Sequence, residues 1–205
     1  MPPLRLFLAA LGRFGLLYAL LILPWPGFNQ AYGRYFRAMG EVVFAREDGR
    51  RFVHFEPVPA ELRHVLDTRI TLANREQIDA NGVGPATELE LDSRGVGWVP
   101  TALVLALTLA TPIPWRRRGR ALAGGLLVIH GYILFSVAIY LWNVSAGLAL
   151  VTLTPFWKQV AAGLQETLIT QMGAGFVAAV LIWALVTLRG RDLDAWKEGR
   201  DAGQD

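Results

Sequence analysis

The chain has no cysteine, which excludes disulfides, thiolate metal sites and cysteine nucleophiles. That absence leaves the compartment open, because a cell-surface domain need not use disulfides. Serine is almost as scarce: Ser93, Ser136 and Ser145 are the only three, and none lies in the G-x-S-x-G frame of a hydrolase elbow. Gly82-Val83-Gly84 and Gly95-Val96-Gly97 lack the G-x-G-x-x-G frame of a nucleotide site. The first reads as a turn and the second as a hinge. No H-x-x-x-H or H-E-x-x-H spacing occurs, so no metal or cofactor is expected. His54 and Glu56 would share a strand face and His64 lies near Glu61 and Asp67, but exposed strand residues explain them more simply than a metal site does.

Charge is thin as well. Charged residues make up 18% of the chain against 53% hydrophobic, and the mean hydropathy of +0.35 is high for a soluble domain of this length. The net charge of +3 is unevenly placed: residues 29–95 hold nine Arg against eleven Asp and Glu. The basic surplus flanks the apolar runs, so membrane topology explains the pI of 9.6 better than nucleic-acid binding does.

What the sequence does have is long apolar runs. From Trp98 to Pro114 the only polar side chains are Thr101, Thr108 and Thr111, and from Ala121 to Trp142 the only ionisable ones are His130 and two tyrosines. Each run is about 17 to 22 residues, the length a helix needs to cross roughly 30 Å of hydrocarbon. Between them lies Pro114-Trp115-Arg116-Arg117-Arg118-Gly119-Arg120, and positive short loops stay cytoplasmic. The two runs therefore read as a transmembrane hairpin with its turn inside. Leu4 to Leu23, carrying Arg5 and Arg13, reads as an uncleaved signal anchor, since Arg13 splits the apolar run and no A-x-A site follows. Leu168 to Leu188, ending in Arg189-Gly190-Arg191, reads as the last span. Trp25, Trp98, Trp115 and Trp142 sit at span ends, where amphipathic rings favour the interface.

The expected fold is thus an α-helical integral membrane protein with four transmembrane helices. A small extracytoplasmic antiparallel β-rich domain is inserted between the first and second. The segments are 1–28 (signal anchor), 29–95 (amphipathic helix plus β-domain), 96–142 (hairpin), 143–190 (amphipathic segment and fourth span) and 191–205 (tail). Both termini are placed in the cytoplasm and 29–95 outside. In the outer part, Asn29 to Gly40 repeats aromatic and apolar residues at helical spacing, as an interfacial helix or one packed on its own domain. Val42–Ala45 and Arg51–Phe55 flank Asp48-Gly49, a hairpin signal. Ala60–Val65 reads as one or two helical turns, and Thr68–Leu72 and Thr87–Leu91 alternate as strands. Thr154-Pro155 reads as an N-cap followed by proline at the first helical position.

His130 falls near mid-span, where an ionisable side chain is costly unless neutral and hydrogen-bonded. Thr108 and Tyr18 lie at comparable depth and form with it a candidate intramembrane polar site. A neutral imidazole bonded across helices is the plainest reading; a partner or quinone-like pocket and proton transfer are the others. No intramembrane Asp, Glu or Lys completes a relay, which weighs against a pump. Ala174 with Ala178, and Gly175 with Ala179, have the small-xxx-small spacing that lets helices approach.

Three stretches carry a resemblance. Leu72-Ala73-Asn74-Arg75, Arg94-Gly95-x-x-Trp98-x-Pro100 and Ala110-Thr111-Pro112-x-Pro114-Trp115-Arg116-Arg117-Arg118 together resemble the exosortase-associated membrane proteins, over residues 65–135. These are bacterial multipass proteins encoded beside exosortases, the transpeptidase-like enzymes that process carboxy-terminal sorting signals. The resemblance implies an accessory role in the inner membrane and no catalytic residues. Exosortases use a cysteine, so this chain is not the enzyme. The expected function is a non-enzymatic accessory or assembly subunit, with the bilayer and a membrane protein as partners; the alternative is a membrane enzyme or small transporter built on His130. A reporter fused after Gly119 is expected to behave as cytoplasmic and one near Gly82 as external, and reversed signals would refute this layout.

Overall fold

The computed structural model describes residues 3–47, 51–59, 66–77, 84–167 and 173–188. Its elements are α1 (Pro3–Ile22), α2 (Phe28–Phe44), β1 (Arg46–Glu47), β2 (Arg51–Pro57), β3 (Thr68–Asn74), β4 (Ala86–Leu91), α3 (Val99–Ala110), α4 (Trp115–Gly147), α5 (Pro155–Gln165) and α6 (Ala174–Thr187). The protein is therefore mostly helical with one small antiparallel sheet. It forms two compact units: residues 1–23, 100–130 and 176–205, and residues 24–99 and 131–175.

The first unit holds α1, most of α3, the front of α4 and most of α6. Of these elements α4 alone, with the remainder of its length, is long and apolar enough to cross a membrane. Four spans were expected, and three of them fall short among the described residues. The apolar stretches there are 8–22, 94–110 and 174–187, and the front of the expected last span, 168–172, lies outside the described residues. In α4's most apolar window only 33% is buried, whereas the core helix of a soluble protein is mostly covered. By contrast α3 buries Thr101, Ala102, Leu103, Val104, Ala106, Thr108 and Ala110. It is the core of this unit.

The helices meet where a glycine pair in α4 removes side-chain bulk. A Cβ on Gly125 would lie 2.9 Å from Val104 of α3 and 3.7 Å from Val186 of α6, and one on Gly124 would also lie 3.7 Å from Val186. Close backbone approach of this kind lets dispersion contacts hold apolar helices together. The sequence reading placed small-residue packing at Ala174, Gly175, Ala178 and Ala179. Of these, Ala179 is fully buried and the other three are half-buried.

In the second unit the strands lie in the order β1-β2-β3-β4, all antiparallel. Alternation puts Thr68, Ile70, Leu72 and Asn74 of β3 on the buried face. Val53 and Phe55 of β2 join them. Helix α2 covers this face with Tyr32 and Phe36, and approaches so closely that a Cβ on Gly40 would meet the Phe55 ring at 2.5 Å. The expected strand Val42–Ala45 is instead the end of α2, which runs on past Gly40 to Phe44. Glu41 explains why: its carboxylate accepts the Phe55 backbone N–H and lies 2.8 Å from His54 Nδ1, which pins the helix to β2. Only Arg46 and Glu47 remain to pair with β2, opposite Val53 and Phe52. The residues of the expected turn at 60–65 and of the loop 81–83 lie outside the described residues.

Three further ends are well determined. The carboxylate of Asp92 accepts the N–H groups of Arg94 and Gly95, each at 3.0 Å, so an aspartate caps the π-helical turn Arg94–Trp98 that leads into α3. Thr154 has the extended backbone of an N-cap with Pro155 next, as expected, although its side chain makes no cap bond. At the end of α4, Leu150 N–H reaches Ser145 O and Ala149 N–H reaches Ala146 O, the Schellman pattern. It places Ala149 at φ 55, a left-handed conformation that suits glycine and costs an alanine about 1 kcal/mol. Ala149→Gly is expected to stabilise this unit by about 1 kcal/mol, read as a higher thermal midpoint in detergent; an unchanged or lower midpoint would show that the turn is not strained.

Candidate functional site

The arginine cluster is where sequence and structure meet most informatively. Arg116, Arg117, Arg118 and Arg120 lie not in a loop but in the first turns of α4, which starts at Trp115. Helical geometry therefore sorts them by direction. Arg116 and Arg120, one turn apart, are exposed, whereas Arg117 and Arg118 are half-buried. The Arg117 guanidinium donates to the carbonyl of Thr187 at the end of α6, and Arg118 donates to the carbonyl of Thr111, just past α3, at 3.0 Å. Two helix C-termini, whose last carbonyls have no partner within their own helix, are thus capped by cations that also complement their dipoles. A threonine relay reinforces the joint. Trp183 Nε1 donates to Thr111 Oγ1 at 2.9 Å, and Thr111 and Thr187 hydroxyls each donate back to the carbonyl four residues earlier.

Trp115 is 75% exposed and carries the Arg118 guanidinium over its ring at 4.5 Å, a cation–π contact. Trp25 is exposed as well. Trp98 instead packs in the second unit against Phe28 and Tyr32, with centroids at 4.7 and 5.6 Å. Trp142 packs against Trp157 at 6.0 Å.

The three residues of the candidate intramembrane polar site do not form one hydrogen-bonded group. His130 Nδ1 lies 2.8 Å from the carbonyl of Leu126, one turn back in its own helix. Tyr18 stacks on Phe14 with centroids 5.8 Å apart. Thr108 is fully buried and its hydroxyl has no hydrogen-bond partner. A bond between Thr108 and His130 is therefore absent.

In the second unit, α2 with Pro57 and Asp67 borders an open cleft of about 370 Å³, lined among the described residues by Asn29, Gln30, Gly33, Arg34, Arg37, Pro57 and Asp67. Asp67 is its structural hinge. Its carboxylate accepts the backbone N–H and hydroxyl of Ser93, while its carbonyl accepts Arg37 Nη1 at 2.8 Å. A Cβ on Gly33 would stand 2.7 Å from Asp67 Oδ2, so glycine keeps the floor of the cleft open. The sequence reading missed this site, because its lining comes from one helix face and a loop more than twenty residues away. The outer sheet face carries Arg69 with Glu90 at 2.7 Å, Glu88 at 3.3 Å and Glu56 at 3.9 Å. The Glu90 hydrogen bond raises the guanidinium pKa further above its usual range. Glu56 thus faces Arg69, and His54 faces Glu41; among the described residues no three metal-ligating groups converge. His64 lies outside the described residues.

No family model, curated protein or solved structure matches this chain. Its chemistry must be argued from the residues alone. The sharpest test concerns the arginines. Arg117→Ala and Arg118→Ala are each expected to cost about 1–3 kcal/mol, the worth of a hydrogen bond to a charged group, seen as a lower thermal midpoint in detergent. Arg116→Ala and Arg120→Ala are expected to leave the midpoint within about 0.5 kcal/mol of the parent. Equal losses at all four positions would remove the capping role.

Proposed function

We propose that this chain is a non-enzymatic accessory or assembly subunit of a bacterial inner-membrane complex, linked to exosortase-type protein sorting. In this reading α1, α3 with its preceding π turn, α4 and α6 cross the bilayer. The arginine end faces the cytoplasm, and the sheet with α2 lies outside. The observation that carries it is the large apolar surface left uncovered. Leu127 is 76% exposed, Leu185 74%, Leu181 65% and Leu16 64%, all on apolar helices. Side chains of that kind, repeated along helices, call for lipid or an apolar partner. An exposed leucine set on α4 and α6 would cost about 1.5–3 kcal/mol per residue in water.

The non-enzymatic part rests on how the polar groups are used. His130 engages its own helix, and Arg117 and Arg118 are held on helix carbonyls, which are structural duties. The second unit offers exposed aromatic surface for docking, with Phe156 and Trp157 at the start of α5 64% and 48% exposed. The alternative, a membrane enzyme or transporter using His130, makes a different demand: His130→Ala would abolish activity while insertion and abundance stayed normal. Purification of the tagged full-length chain in mild detergent is expected to bring down a membrane protein in stoichiometric amount, and Phe156→Ser/Trp157→Ser is expected to weaken that association without loss of the chain from the membrane. Recovery of the chain alone, or as a monodisperse species in detergent-free buffer, would sink the proposal.

A further inference from the structure

Helix α2 has three faces, and one of them is buried in its own unit. Tyr32, Gly33, Phe36 and Gly40 are buried. Asn29, Gln30, Gly33, Arg34 and Arg37 line the 370 Å³ cleft. The remaining face presents Ala31, Tyr35, Ala38 and Val42, at helical spacing and all exposed, with Tyr35 at 48% and Val42 at 87%. By the 100° step of a helix, Arg34 lies between the cleft and this apolar stripe. An apolar stripe bordered by arginine is the arrangement of a helix lying in a bilayer interface, its apolar side at the acyl boundary and its cations at headgroup depth.

We propose that the cleft of α2 binds the phosphate of an anionic phospholipid while the Ala31–Tyr35–Ala38–Val42 stripe enters the same leaflet. The inference rests on the membrane placement proposed above and adds the ligand of its outer helix. The groups fit that chemistry. Among the described residues the lining holds two guanidiniums against one carboxylate, and that carboxylate, Asp67, already accepts two hydrogen bonds from Ser93. Arg37 is oriented by the Asp67 carbonyl and the Thr68 hydroxyl at 2.8 and 3.4 Å. Arg34 is exposed at the rim, and the Asn29 and Gln30 amides add neutral donors from the first turn of the helix. Guanidinium suits phosphate because its planar fork can donate two parallel hydrogen bonds. Gly33 matters because any larger residue would meet Asp67 and fill the floor. The volume suits a headgroup rather than a folded partner.

The chain's lack of cysteine makes the test local. Ala38→Cys supplies the only thiol and takes an environment-sensitive fluorophore on the full-length chain in neutral detergent. Titration with short-chain phosphatidylglycerol is expected to give a saturable blue shift. Arg34→Gln/Asn29→Ala is expected to weaken it roughly ten-fold, about the effect of losing one charge-assisted contact, whereas Arg34→Lys keeps most of it. Phosphatidylcholine is expected to need far higher concentrations, and inorganic phosphate and an acidic peptide are expected not to displace the lipid. Three results would overturn the proposal: an undiminished shift in the double variant, equal response to phosphatidylcholine, or displacement by phosphate or peptide, which would make the site one for a free ion or a protein segment. Partner recovery from the same variants separates this failure from that of the assembly role, since the lipid site can be lost while the partner remains.

Discussion

The structure of the first unit depends on one requirement: helices that end among apolar side chains must still satisfy their last carbonyls. Water serves that need at an ordinary surface. Here the carbonyls of Thr111 and Thr187 receive guanidinium groups from the start of a third helix instead. The arrangement links three helices through one turn of α4, because Arg117 and Arg118 are adjacent in sequence and reach different neighbours. The closest packing, Gly125 against Val104, lies about two turns further along the same helix. Capping at one end and glycine contact in the middle together fix how α3, α4 and α6 pack. The fully buried Thr108 hydroxyl is left without a hydrogen-bond partner in this packing.

The second unit solves a different problem with carboxylates. Glu41 ties α2 to β2, Asp67 ties the sheet to the turn at Ser93, and Asp92 caps that turn. Each acts at a junction between elements, where backbone N–H groups would otherwise go unpaired. Buried Asn74 does the same at the far edge, donating to the Leu148 carbonyl at 2.9 Å and accepting from Glu76 N–H. The apolar layer beneath is thin, formed largely by Phe36, Val53, Phe55, Ile70 and Leu72. A layer of that size gains much of its order from these polar joints.

What the sequence revealed followed from period and punctuation. Strand β2 was legible because Arg51–Phe55 is a β-prone run beside Asp48-Gly49, and β3 and β4 because Thr68–Leu72 and Thr87–Leu91 alternate; each lies within the observed strand. Val42-Val43-Phe44 misled because β-branched residues favour strands. The Glu41 bond to β2 is a tertiary contact, invisible in sequence, and it keeps those residues helical. The arginine run stood out in the sequence but its capping role did not, since direction around a helix depends on where the helix begins. Had Trp115 been known as the first residue of α4, the inward aim of Arg117 and Arg118 would have followed. The adjacent Gly124 and Gly125 were the missed signal for helix packing. The polar cleft could not be read at all, because Asp67 joins it only through the fold.

These features bear on function through what they leave over. Of the four arginines, two are committed to helix ends, so only Arg116 and Arg120 face outward from the cluster. Of the three faces of α2, one is buried and two are not. Among the described residues, Arg117, Arg118, Glu41, Asp67 and Asp92 act at joints that hold the fold together, Arg69 pairs with glutamates across the sheet face, and much of what is left exposed is apolar. Exposed apolar surface of that kind is what the proposed contacts with lipid and with a partner draw on. It is that allocation of polar groups, more than any single motif, on which the proposed accessory role rests.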